Sequence, residues 1–419
     1  MSRAFPRNLG VVELDRQGAV MKFFMRALTA SVALIAMQSA ARAADPIKIG
    51  DLNSYKAMAA NTTPYRNGLD LAIAQANAAG GVLGRQIEVV YRDDGANPND
   101  AVRAADELIL RERIDILTGT ILSHVGLAMA DFAKQRKMFF LASAPLTDKL
   151  VWQNGNRYTY RLRPSTYTHA AALVPEAVKL KHKRWAVVYP NYEYGQSAVA
   201  TFKTLLKQQQ PDVEFVADIS SPLGKIEAGA IVQALDDAKP DAIFNVLFGP
   251  DLAKFVREGT TRGVFEKRDV VSLLTGEPEY LDPLKGDGPT NWIVTGYPWY
   301  LLANPEHAAF LRDYQARFKD YPRMASLVGY ATGEALVAGI TKAGSTDSEK
   351  LVAAFADLTF KTPAGPVTFR GIDHQATLGL FVGRTGIKDG KGVMSDVVYK
   401  DGAAFQPSDA DVRKWRQAD

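Results

Sequence analysis

The run from Arg66 to Gly119 limits what this chain can fold into more than any other segment. Leu69, Ala72, Ile73 and Ala76 keep helical spacing, and Gly80-Gly81 stops that helix, because glycine accepts the left-handed cap conformation at little steric cost. Ile87, Val89 and Tyr91 then alternate with Glu88 and Val90 as in a strand, which Asp93-Asp94-Gly95 and Asn97-Pro98 break. A second helical period fills 101–110. Ile114-Asp115-Ile116-Leu117 reads as a short buried strand running into Thr118-Gly119. Strands that alternate with helices need crossover connections, and crossovers imply a parallel sheet.

The N-terminus carries a different signal. Met21-Lys22-Phe23-Phe24-Met25-Arg26 is a short basic start, ALTASVALIAM (27–37) an apolar core, and Ala41-Arg42-Ala43 a small-x-small pattern. These predict a cleavable leader over 21–43, with residues 1–20 as an upstream extension and a mature start near Ala44. The core falls short of the about 20 apolar residues that span a bilayer. No cysteine stands near the cleavage pattern to carry a lipid anchor, and the chain has 0 in all, so its stability must come from an apolar core. Without the six bases and two acids of residues 1–43, bases and acids number 44 each. The basic balance of the full chain therefore belongs to the leader, and no nucleic-acid partner is expected.

Downstream, the α/β rhythm continues. Strands are predicted at 138–142, 158–162, 184–189, 213–219, 242–247, 270–274 and 292–295. Helices are predicted at 170–180, 197–209, 231–238, 251–263, 305–320, 326–343 and 348–357, and from 367 onward the chain turns to strands, at 367–369, 378–382 and 394–399. The blocks predict two lobes joined by several crossings. The first is assigned 45–166 and 298–372, the second 167–297 and 373–419. Each is expected to be Rossmann-like with a parallel-sheet core, and ligands of such sheets bind outside the carboxyl ends of the strands, which puts the site in the cleft between lobes.

AGGVLGRQIEVVYRDD (79–94), Ile116-Leu117-Thr118-Gly119, Tyr160-Arg161-Leu162-Arg163-Pro164-Ser165, Asn191-Tyr192-Glu193-Tyr194-Gly195 and Phe369-Arg370-Gly371-Ile372-Asp373-His374-Gln375 occur in that order. Together they resemble the amino-acid-type periplasmic solute-binding proteins of ABC importers, the family of the leucine/isoleucine/valine receptor. The resemblance covers nearly all of the mature chain. It implies a type I periplasmic binding fold, capture of a small solute and delivery to an inner-membrane permease.

It also implies roles for individual residues. Ser123 matches the serine set against a ligand carboxylate; read locally, it is equally a helix N-cap. Ala144, with the backbone of 143–147, falls in the second carboxylate loop. Glu277 aligns with the acid that meets a ligand ammonium, although on its own terms it is a loop acid two residues from Glu279. Tyr194 matches a cleft tyrosine. Members that bind amino acids usually carry another acid soon after the crossover, where this chain reads Ser165-Thr166-Tyr167-Thr168-His169.

Aromatic side chains crowd the loops instead: Tyr55, Tyr65, Tyr167, Tyr192, Phe248, Tyr297, Trp299 and Tyr300. Of these, Tyr55, Tyr167, Phe248 and Trp299 are taken with Ser123, Ala144, Tyr194 and Glu277 as the candidate ligand residues. Flat rings can wall an apolar ligand, and ordinary packing is the competing reading for each. Arg161 and Arg163 alternate with Leu162, so one is expected to face the cleft and the other a surface acid. No G-x-S-x-G elbow, HExxH or P-loop occurs, and the five histidines are scattered. No enzyme activity, cofactor or metal is expected. The expected ligand is a branched-chain or other apolar amino acid, with an aromatic carboxylic acid or small amide as the alternative. A ligand-sensing domain of a signalling system is more remote, and a monomer is expected.

Overall fold

The computed structural model describes residues 45–416, together with Met1, Ser2 and Ala4, so the leader expected at 21–43 lies outside the described residues. The chain divides into Met1–Asp45 and Pro46–Asp419, and the second unit holds all the named elements.

It opens with β1 (Ile47–Asn53), α1 (Ala59–Ala78), β2 (Ile87–Asp93), α2 (Pro98–Glu107), β3 (Ile116–Gly119), α3 (Ser123–Arg136), β4 (Phe140–Ala142) and β5 (Thr159–Arg161). The turn between α1 and β2 shows why its glycines are there. Gly81 has φ +78°, and a Cβ on it would stand 2.0 Å from the Arg85 carbonyl oxygen, in a tight loop closed by the Val82–Arg85 pair. Asn97 caps α2, its side chain accepting from the Asn99 and Asp100 N–H groups, while Pro98 supplies the preset φ of a first helical residue. The five strands pair in parallel in the order β2-β1-β3-β4-β5.

The second lobe repeats that winding. α4 (Thr166–Lys179), β6 (Arg184–Pro190), α5 (Glu193–Gln209), β7 (Glu214–Ser221), α6 (Ala228–Ala238), β8 (Ala242–Asn245), α7 (Gly249–Thr261), β9 (Asp269–Gly276), α8 (Pro278–Leu281) and β10 (Ile293–Gly296) follow. Their strands run β7-β6-β8-β9-β10, the same permutation as the first sheet. The chain then returns to the first lobe through α9 (Pro305–Phe318), α10 (Met324–Ala343), α11 (Ser348–Phe355) and a small hairpin, β11 (Thr359–Thr362) with β12 (Gly365–Thr368), of which β11 has no counterpart in the sequence expectation. β13 (Leu380–Lys388) and β14 (Lys391–Lys400) add an antiparallel edge to the second sheet. The last helix, α12 (Asp409–Trp415), crosses back: Trp415 packs 5.5 Å from Trp152, and the Arg416 guanidinium donates to the Val151, Asn156 and Asp373 carbonyl oxygens.

Each lobe has its own core. The central strands β3, β8 and β10 are buried throughout, as parallel strands covered on both faces must be. Phe139, Leu141, Tyr160, Phe355 and Phe369 fill the first core, and Trp185, Phe202, Phe244 and Phe255 the second. Phe202 and Phe244 stack face to face at 3.7 Å.

Candidate functional site

The carboxyl ends of β1, β3 and β4 in one lobe, and of β6, β8 and β9 in the other, feed the loops that meet between the lobes. Two small adjoining chambers lie there. The first is lined by Met58, Ile121, Leu122, Ser123, Leu146, Arg163, Tyr192, Tyr194, Phe248, Leu274 and Tyr280. Asn53, Asn61, Thr62, Tyr65, Ala144, Ala325 and Val328 line the second, which shares Ile121 and Arg163 with the first. Their volumes, about 20 and 10 Å³, are each near the size of a single water, so the lobes stand close together.

Arg163 is the centre of the arrangement. It leaves the crossover after β5, is 4% exposed, and pairs through Nη2 with Oε1 of Glu277, which is 3% exposed. Burial outweighs the neighbouring guanidinium and pushes the Glu277 carboxyl up to about 7. Arg163 Nε and Tyr194 Oη, both buried, find no hydrogen-bond partner among the described residues. The site thus offers two unspent donors beside a buried ion pair. Around them, Tyr194 sits 6.0 Å from Tyr192 and 5.7 Å from Phe248, and Phe248 is 6.3 Å from Tyr280. Four rings make one wall.

Ser123 lines the first chamber as the opening residue of α3. Leu122, not Ser123, occupies the N-cap position, and Ser123 Oγ accepts from the Thr147 N–H at 3.2 Å. Ser123 keeps its hydroxyl proton to donate, and the first N–H groups of α3 have no partner within the helix. Ala144 lines the second chamber, but three backbone donors around it are spent inside the protein. Ser143 N–H goes to Gly119, Ala144 N–H to Thr120 and Thr147 N–H to Ser123. That leaves Arg163 as the stronger attraction for a carboxylate.

The structure places three of the sequence-selected aromatics elsewhere. Tyr55 donates to Asp51 at 2.5 Å and packs edge-on against Tyr91. Trp299 stacks on Tyr321 at 4.7 Å. Tyr167, turned outward at the first turn of α4, joins Trp152, Trp415, Asp148 and Asp411 around a separate groove. Each ring has a packing partner of its own, which holds it away from the chambers. Arg161 also departs from its expectation. It meets no surface acid but lies fully buried, bonded to Gln375 Oε1 and the Leu146 and Thr147 carbonyl oxygens. The Asp373-His374-Gln375 segment is the other half of that lock: Asp373 accepts from Trp152 Nε1 at 3.1 Å and His374 stacks on Tyr160 at 3.9 Å.

Tyr280, Asn61 and Met58 line the chambers without having been singled out in the sequence. Tyr280 had a usable signal, since three residues after Glu277 on a helical turn it shares that residue's face. Asn61 and Met58 look like ordinary residues at a helix start. Among the described residues no group of three or more acids and histidines gathers to hold a metal, and no helix is long and apolar enough to cross a membrane.

Comparison with known proteins gives a consistent result. A family model describing periplasmic binding proteins matches residues 46–391. The leucine-, isoleucine-, valine-, threonine- and alanine-binding protein of Pseudomonas aeruginosa is 24% identical over 352 residues, 82% of this chain and 90% of that one. A solute-binding protein of an ABC transporter from Rhodopseudomonas palustris HaA2, solved with p-hydroxybenzoic acid, superposes with a TM-score of 0.78 at 22% identity, covering 88% of this chain and all of the other. An amino acid ABC transporter substrate-binding protein from Pseudomonas fluorescens Pf-5 superposes with a TM-score of 0.76, also at 22% identity, over 87% of this chain and 99% of the other.

Proposed function

The chain belongs to the periplasmic binding protein family, and on that premise we propose that it captures a small amino acid-like solute in the interlobe cleft and delivers it to the permease of an ABC importer. The observation that carries the reading is the buried Arg163–Glu277 pair with an aromatic wall beside it. A zwitterion matches that pair charge for charge. Its ammonium goes to Glu277, its carboxylate to Arg163 Nε and the Ser123 hydroxyl at the head of α3, and an apolar side chain to Phe248, Leu274 and Tyr280. Both buried charges stay compensated when the solute enters, which removing either partner would not achieve. The relatives named for branched-chain amino acids support this choice. Export through the leader at 21–43 and action as a monomer complete the proposal.

An aromatic carboxylic acid is the second reading, favoured by the two unspent donors, Arg163 Nε and Tyr194 Oη, beside the four-ring wall. Several structural neighbours were solved with benzoate-type ligands.

Glu277→Gln separates the two. It removes the partner of an ammonium and leaves Arg163 free for a carboxylate. Leucine binding should weaken at least tenfold, while 4-hydroxybenzoate binding should hold or tighten, as read by thermal shift and calorimetry. Unchanged leucine affinity would remove Glu277 from the site. Loss of both ligands alike would reject the charge-matching arrangement.

A further inference from the structure

Two residues beyond Glu277, the side chain of Glu279 leaves its own lobe. It is buried, at 5% exposure, and its two carboxylate oxygens accept the backbone N–H groups of Ala325, at 2.7 Å, and Met324, at 3.3 Å. Those are the first residues of α10, a 20-residue helix of the first lobe that packs along α1. The opening N–H groups of a helix have no partner within it, and their aligned dipoles favour a negative charge. Glu279 supplies both from across the lobe boundary.

Its neighbours do the same on a smaller scale. Asn61 Nδ2 donates to Tyr280 Oη at 3.1 Å, and Asp282 accepts from Tyr321 Oη at 2.8 Å with Arg323 Nε at 3.5 Å. The 278–282 segment is therefore fastened at every polar side chain it carries, to α1, to the head of α10 and to residues 321 and 323 just before that helix, and Glu277 immediately precedes the segment.

We infer that Glu279 is a positioning residue for capture: by capping α10 in trans it latches the second lobe onto the first and holds Glu277 and Tyr280 against the chambers. This rests on the capture reading above, yet its test needs no solute. The cysteine-free chain allows a spin-label pair at Lys56→Cys and Lys254→Cys, one exposed position in each lobe. In pulsed dipolar spectroscopy without ligand, Glu279→Ala should shift the short-to-long distance ratio at least tenfold toward the long state, the effect of losing two hydrogen bonds to a carboxylate. Glu279→Gln, which keeps one accepting oxygen, should recover part of the short population. With leucine as probe, Glu279→Ala should raise the dissociation rate by a similar factor and change the association rate little.

Distance distributions that coincide for wild type, Glu279→Ala and Glu279→Gln would overturn the latch, and would do so even if leucine bound normally. If Glu279→Ala fails to fold, Glu279→Gln decides alone: a fully wild-type distribution rejects the latch, a partial shift supports it. A protein that latches but takes up no leucine or benzoate would leave this inference standing and sink the solute reading instead.

Discussion

Asp51, on β1, is bonded to hydroxyls: Tyr55 donates at 2.5 Å and Tyr65 at 2.8 Å, and Tyr65 continues the chain to Ser143 and so to Thr332. Burial pushes its carboxyl up to about 7, a rise that the two tyrosine hydrogen bonds only partly offset. A carboxyl that holds its proton more tightly folded than unfolded stabilises below its unfolded value, and that contribution is lost as pH rises through its folded value. Between pH 4 and 7 each unit should therefore remove up to about 1.4 kcal/mol of stability, and Asp51→Asn should flatten the slope of melting temperature against pH. Equal slopes for the two proteins would show that the carboxyl titrates alike in both states. Glu277 adds a functional counterpart. Because its carboxyl is also raised to about 7, leucine affinity should climb from pH 5.5 to 8 as the ammonium partner ionises, and calorimetric titrations across that range would show a flat profile if another group takes the ammonium. At this scale the sequence was partly legible. Ser123, Tyr194 and Phe248 stand at the ends of strands or the heads of helices, where position alone brings them to the chambers. Tyr55, Tyr167 and Trp299 occupy loops of the same kind, but ring partners outside those loops, Tyr91, Trp415 and Tyr321, decide where their rings go.

Among the elements, α1 and α10 meet backbone to backbone. A Cβ on Gly68 would stand 2.0 Å from the Ser326 carbonyl oxygen, and one on Gly329 would stand 1.9 Å from that of Tyr65. The two backbones touch, so each helix fixes the other's axial position and with it the latch at the head of α10. Gly68→Val should force the helices apart and cost about 1–3 kcal/mol by overpacking, seen as a lower melting temperature. An unaltered melting curve would mean the pair re-seats freely. Neither glycine shows in the sequence as more than a weak helix residue, because a close approach involves two segments some 260 positions apart. The β13–β14 hairpin is the opposite case. Asp389-Gly390, both at positive φ, makes the two-residue turn that such strands prefer, and the signal was present in the sequence. The predicted strands at 378–382 and 394–399 stopped short of it because Arg384, Gly386 and Lys388 give the outer half no apolar alternation.

Over the whole molecule, what the sequence made plain was winding: alternating helices and strands imply parallel sheets, and both lobes carry the same strand order. What it left open was how the lobes engage. The Arg163–Glu277 pair, the Glu279 cap and the Arg161–Gln375 lock join residues 114, 46 and 214 positions apart, and long-range polar pairs leave no periodic trace. The cleft that results is small, apolar on one wall and charged on the other, which suits a solute carrying a head group of both signs. A closed cleft gains from a ligand only the free energy by which the ligand prefers it to the open one. At a leucine concentration 100 times its Kd, mass action alone should add about 2.7 kcal/mol to the stability of the folded state.

The central claim is that this cleft captures an amino acid-like solute, and titration of the purified protein with leucine in a calorimeter tests it most directly. The expected result is saturable 1:1 binding that weakens at least tenfold in Glu277→Gln. A protein that gives neither heat nor a shift in melting temperature with leucine, isoleucine, valine or 4-hydroxybenzoate would contradict it.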